Sequence, residues 1–178
     1  MFLLAAAAAV TLIAQQAPAQ GIDWDKQFGV EEKVRDPKTG EIPVDPYTQS
    51  NANAGASPVS GASLVRQFGG KSGIRRIAER TVELSEADPR ISAIFVSHDM
   101  VRLKRTLFEQ FCYLLNAGCD YTGRDMKTTH AQMGLRKADL NALVENLQQA
   151  MREQKIPFAA QNRFLAKLAP MSKDVITR

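Results

Sequence analysis

From Ser63 onward, apolar residues recur with the period of a helix. Ile74, Ile77, Ala78, Thr81, Val82 and Ser85 step by 3, 1, 3, 1 and 3 positions, which places them on one helical face. Met100, Leu103, Leu107, Phe111 and Leu114 step by 3, 4, 4 and 3, and Leu140, Leu143, Val144, Leu147 and Met151 repeat the pattern. Leu64 to Phe68 form a short apolar turn that Gly69-Gly70 stops. Asp88-Pro89 reads as the start of a further short element, with Asp as N-cap and Pro at the first helical position. Pro157 begins a last helix that Phe164, Leu165 and Leu168 bury, and Pro170 kinks it or ends its first half. No stretch alternates apolar and polar residues long enough to make a strand. The pattern predicts an all-α domain of five or six helices, without internal repeats.

The first 62 residues follow other rules. Residues 2–14 (FLLAAAAAVTLIA) are apolar throughout, but a helix needs about 20 such residues to cross a ~30 Å hydrocarbon core. Ala17-Pro18-Ala19 supplies the small residues of a cleavage site, so residues 1–19 are expected to be a signal peptide and the protein periplasmic or secreted. The basic residues that usually precede such a run are missing. No cysteine follows the run, and no stable membrane insertion is expected. Residues 20–62 carry Pro37-Lys38-Thr39-Gly40, Pro43, Pro46 and the run SNANAGASPVSG, with few large apolar groups besides Trp24 and Phe28. Such a stretch buries too little surface to offset its ordering entropy, so a flexible tether is expected there, ahead of a domain at 63–178.

Composition narrows the class. A chain of 178 residues with 44% hydrophobic and 24% charged residues holds one ordinary globular domain and a tail, which excludes global disorder and collagen-like or coiled-coil structure. Residues 20–60 contain four basic and seven acidic residues, whereas residues 61–178 contain nineteen and twelve, so the folded part is the basic part. A basic domain suits nucleic acid, anionic lipid or an acidic small molecule, and export removes nucleic acid from that set. Two cysteines exclude a disulfide scaffold and a four-cysteine zinc site, and two histidines, His98 and His130, exclude most multi-histidine metal centres. Cys112 and Cys119 flank the turn signal Asn116-Ala117-Gly118, and pair as a disulfide under oxidising conditions or stand as two buried thiols. Nothing around Cys112 and His130 suggests an activated nucleophile, and Lys71-Ser72 lies at the wrong spacing from Gly69-Gly70 for a phosphate-binding loop.

His130 carries the remaining chemistry. It follows Met126 by four positions and so shares its helix face. A histidine among apolar residues is either a satisfied core group or a ligand to a metal such as haem iron. The surrounding motifs bear on that choice. In order they are Gly69-Gly70, Ala87-Asp88-Pro89-Arg90-Ile91, Ala93-Ile94-Phe95, Asp99-Met100-x-Arg102-Leu103, and Tyr121-Thr122-Gly123-Arg124-Asp125-Met126-Lys127-x-x-His130. This series resembles the group 1 truncated haemoglobins over residues 63–178, and the stretch from Tyr121 to His130 is its most specific piece.

The resemblance implies a two-over-two helical sandwich around one haem b (iron protoporphyrin IX), with His130 as the proximal iron ligand. It implies that Phe95 packs flat on the porphyrin, and that Leu103, Leu107 and Phe111, with Val82 above, line the distal side. Met126, Leu135, Leu143 and Leu147 would wall the proximal side, and Arg102, Tyr121, Lys127 and His98 would contact the propionates. Many members place a tyrosine where Val82 stands and a glutamine where Leu107 stands, so this chain departs from the family in lacking those distal donors. His98 is then a candidate donor or sixth ligand. The expected function is reversible binding of a diatomic gas (O2, NO or CO) at ferrous iron by a monomer served by an electron donor or reductase. The rival expectations are electron transfer, nitric oxide dioxygenase or peroxidase-like chemistry, and a helical partner-binding module without haem. Peroxidase chemistry would need a distal acid–base group.

Overall fold

The computed structural model describes residues 34–178, and within them every regular element is helical. The helices are α1 (Ser63–Gln67), α2 (Gly70–Ala87), α3 (Met100–Leu114), α4 (Met126–His130), α5 (Lys137–Glu153), α6 (Phe158–Leu168) and α7 (Ser172–Val175), with short 3-10 turns at Asn51–Ala54, Ser92–Ile94 and Ala169–Met171. Gly69 and Gly70 adopt left-handed φ angles of 72° and 65°, which separate α1 from α2 at a conformation that a side chain would strain. The face of α2 read from the sequence is buried: Ile74, Ile77, Ala78, Thr81, Val82 and Ser85 all turn inward. With that face α2 packs against both α3 and α5, so one helix serves two partners, while α4 packs on α7. Pro170 ends the last long helix in a 3-10 turn, as its ring requires.

The core lies at the end of the bundle where α1, α3, α5 and α6 meet. Phe164 anchors it, with its ring edge-on to Phe68 (centroids 5.3 Å apart) and to Phe111 (4.9 Å). Leu147, Ala150 and Met151 of α5 complete the cluster. Helix α3 ends at Asn116, whose φ of 59° is left-handed, and the Ala117 N–H donates to the Cys112 carbonyl at 2.9 Å. This turn brings Cys119 back to Cys112, and the two form a disulfide with a Cα–Cα distance of 5.6 Å.

Two expectations need correction. Asp88 does not open a helix. It closes α2 and its carboxylate accepts the Arg90 N–H at 3.0 Å, with Pro89 fixing the intervening turn before the 3-10 segment. The larger difference concerns the tether. Residues 34–62 lie against the helices as a strap. Glu41 is 7% exposed and pairs with Arg102 (3.1 Å) and with Arg105. The Ile42 N–H and Arg35 donate to the Asp99 carboxylate at 2.7 and 2.8 Å, and the Tyr47 hydroxyl donates to the Thr122 carbonyl at 2.9 Å. Ala54 is fully buried, and the Val59 N–H donates to the Leu114 carbonyl. The strap is ordered by ion pairs and hydrogen bonds to distant residues, which a count of apolar side chains does not register. The rest of the expected tether (20–33) and the expected signal peptide (1–19) lie outside the described residues.

No helix among the described residues is long and apolar enough to cross a membrane, and none of those residues form a cluster of three or more His, Cys, Asp or Glu suited to a metal ion.

Candidate functional site

Helix α4 is five residues long and ends on His130. Asp125 starts it, with a carboxylate that accepts the Thr128 N–H at 2.8 Å and is held below its ordinary pKa by that bond. One turn on, His130 Nδ1 stands 2.7 Å from the Met126 carbonyl. A carbonyl only accepts, so Nδ1 carries the proton and donates, and Nε2 keeps a bare lone pair. Burial lowers the pKa of His130 from the usual 6.5 despite the Met126 bond, and the nearby His98 lowers it further. The imidazole is therefore neutral, oriented and free at Nε2, which is the state a metal ligand requires.

The apolar stripes of α3 and α5 behave differently along their length. In α3, Phe111 and Leu114 are buried, whereas Leu103 and Leu107 on the same stripe are only half-buried. In α5, Leu147 and Met151 are buried, whereas Leu140, Leu143 and Val144 are half-buried. Both helices thus close at their C-terminal halves and stay open at their N-terminal halves. Phe95, at the end of the 3-10 turn Ser92–Ile94, and Met126 are half-buried as well. A bundle closed on itself would bury these side chains. Half-buried apolar groups, with a neutral imidazole offering Nε2, are residue types that suit a flat apolar group with a metal at its centre, and in that chemistry the residues fit haem.

The other expected site residues differ in their burial and in the partners that the structure gives them. Val82 is buried on α2, and Leu135 is buried with its carbonyl accepting the Thr177 and Arg178 N–H groups. Phe111 belongs to the closed aromatic core with Phe164. Arg102, expected at a propionate, donates to the Ile42 carbonyl at 2.6 Å and pairs with Glu41 of the strap. Tyr121, also expected there, is 5% exposed and donates its hydroxyl to the Arg124 carbonyl at 2.9 Å; burial foremost pushes its pKa up. Its ring explains the next residue but one. A Cβ on Gly123 would sit 2.2 Å from the Tyr121 hydroxyl oxygen, so only glycine fits beneath it. His98 and Lys127 are exposed, and Lys127 lines a cavity of about 450 Å³ with Lys173 and Thr177 beside α4.

Sequence reading missed Gln110 and Met133. Met133 is half-buried three residues past His130 and carried no periodic signal. Gln110 is 6% exposed, and its side-chain amide donates to the Ala54 carbonyl at 3.0 Å. The mark it leaves in the sequence is a polar residue one turn beyond Leu107.

Comparison with known proteins bears on the family and the fold. The bacterial-like globin family matches residues 63–177. A group 1 truncated hemoglobin of Mycolicibacterium paratuberculosis is 26% identical over 116 residues, covering 65% of this chain and 85% of that protein. The Fe(III) truncated hemoglobin of Tetrahymena pyriformis superposes with a TM-score of 0.62 at 22% identity, over 65% of this chain and 98% of that one. The 2/2 hemoglobin of Synechococcus sp. PCC 7002, in the cyanomet state with covalently attached heme, gives 0.60 at 24% identity, over 66% and 100%.

Proposed function

This chain belongs to the bacterial-like globins, a haem-binding family, and from that premise we propose that it holds one b-type haem through His130 and binds a diatomic gas reversibly. The observation that carries the reading is the bond from His130 Nδ1 to the Met126 carbonyl, which leaves Nε2 free to ligate a metal. Haem supplies a ferrous iron able to take O2, NO or CO. The residues of the chain do the rest. His130 donates its lone pair and is kept neutral by burial. Phe95, Leu103, Leu107, Met126 and Leu143 would supply the apolar side chains that keep water from a bound haem. No Cys-x-x-Cys-His sequence occurs, so covalent attachment of the c type is not expected.

The distal face sets the ligand preference. Val82, Leu103 and Leu107 carry no hydrogen-bond donor, so bound O2 loses a bond worth about 1–3 kcal/mol, or roughly 5–150-fold in release rate. CO and NO need less polar help and are held better in relative terms. The same face argues against dioxygenase and peroxidase-like turnover. An electron donor or reductase would be needed to keep a bound haem ferrous. The apolar run with Ala17-Pro18-Ala19 and the Cys112–Cys119 disulfide both support a periplasmic or secreted protein.

The test is optical. Purified full-length protein is recorded oxidised, then reduced with dithionite under CO, and O2 release is followed by rapid mixing. A Soret band that shifts on CO binding, with fast O2 release, is expected. A colourless protein that ignores added haemin overturns the haem reading, and slow O2 release overturns the donor-free distal face and points to His98.

A further inference from the structure

A chain of contacts joins the strap to His130. It starts at Ala54, which is fully buried in the strap. The Ala54 carbonyl accepts from Gln110 Nε2 at 3.0 Å. The same amide nitrogen stands 3.3 Å from the Met126 sulfur and 3.6 Å from the Met171 sulfur. Met126 in turn presents its backbone carbonyl to His130 Nδ1. Four elements thus converge on one amide: the strap, α3, α4 and the 3-10 turn before α7.

A buried amide needs partners, since an unpaired donor costs about 1–3 kcal/mol. Here one N–H takes a strong acceptor, the Ala54 carbonyl, and the other faces two thioethers, which are weak acceptors. Gln110 would bond more strongly to almost any oxygen. Its placement instead anchors the side chain of Met126, the first residue of α4, and with it the start of the helix whose Met126 carbonyl orients the imidazole. Partners one step removed from a metal ligand set its orientation and basicity. We propose that Gln110 is a positioning residue for His130, and that through it the docked strap holds the proximal imidazole in place. This inference rests on the reading of His130 as the iron ligand.

The experiment separates the two claims. Gln110→Leu removes the amide, and Met126→Leu removes the sulfur while leaving the Gln110–Ala54 bond, so the second variant serves if the first fails to fold. Full-length protein is loaded with haem and reduced, and the iron–histidine stretching band is read by resonance Raman spectroscopy. Ferric haem transfer to an excess of apomyoglobin gives the loss rate, and circular dichroism checks the helix content. Both variants are expected to keep wild-type helicity, to shift the iron–histidine band, and to lose haem about tenfold faster, the lower end of the usual 10–100-fold cost of disturbing such a partner. A band and a loss rate equal to wild type in both variants overturn the positioning role. His130→Ala is measured in parallel. If it retains haem, the ligand reading falls; if it loses haem while both other variants match wild type, only the positioning claim falls. A merely structural role for Gln110 would lower thermal stability without moving the band.

Discussion

The two halves of α3 carry one apolar stripe and meet different ends. Phe111 and Leu114 are sealed against Phe164 and the α5 cluster, whereas Leu103 and Leu107 stay part-open. Helix α5 repeats the contrast, with Leu147 and Met151 sealed and Leu140, Leu143 and Val144 part-open. The same periodicity therefore yields a protein core at one end and a receptor for something apolar at the other. Helical spacing reports which face turns inward. It does not report whether protein or a ligand covers that face.

Substitutions in the two halves should differ accordingly. Phe164→Ala is expected to cost about 3–5 kcal/mol in urea unfolding of the haem-free protein, because it empties a fully buried site. Leu143→Ala should cost about 1 kcal/mol or less in the same assay, since its side chain is already half in water. With haem bound the two costs should draw closer, and an equal cost in the haem-free protein would erase the contrast. Leu107→Gln should slow O2 release by roughly 5–150-fold, the equivalent of about 1–3 kcal/mol, by placing a donor in the open half. In the sealed half no substitution should alter O2 release unless it unfolds the protein.

The strap gives smaller effects. Glu41→Gln leaves Arg102 and Arg105 without their shared carboxylate and should destabilise the protein by about 1–2 kcal/mol, read as a lower urea midpoint and faster proteolysis of residues 34–59. Acid should act more gently, on the strap contact at Asp99. Burial raises the Asp99 pKa, but Arg35 and the Ile42 N–H outweigh it, so the folded value lies below the usual 3.8. A lowered carboxylate contributes stability that is fully present above the unfolded pKa and is lost as pH falls through the folded one. Strap docking should therefore be constant from pH 7 down to about 5 and weaken below about pH 4. Proteolysis of the strap that rises between pH 7 and 6 would contradict that assignment.

Much of this was legible in residue order. The helices, their inward faces and the stop at Pro170 follow from spacing and from residues with one conformational use, whereas the motif ending on His130 was legible through its resemblance to a known family. Gly123 was visible only as part of a motif, and its reason, the Tyr121 hydroxyl lying over it, needed coordinates. Arg102 and Tyr121 looked like propionate contacts because a cation and a phenol stand at the matching positions. Their actual partners, Glu41 and the Arg124 carbonyl, come from chain that lies far off in one case and folds back tightly in the other. The strap was the least legible region. Its order depends on the Glu41 and Asp99 carboxylates, on scattered polar side chains such as Tyr47 and Gln110, and on backbone groups, none of which carries a periodic signature.

The central claim is that His130 holds haem in the open half of the bundle. Haemin titration of the full-length protein and of His130→Ala, with helix content checked by circular dichroism, tests it directly. The account predicts that the wild type takes up one equivalent with a sharp Soret band, while the variant stays helical and retains none through gel filtration. A variant that elutes with its haem and an unchanged spectrum would contradict it.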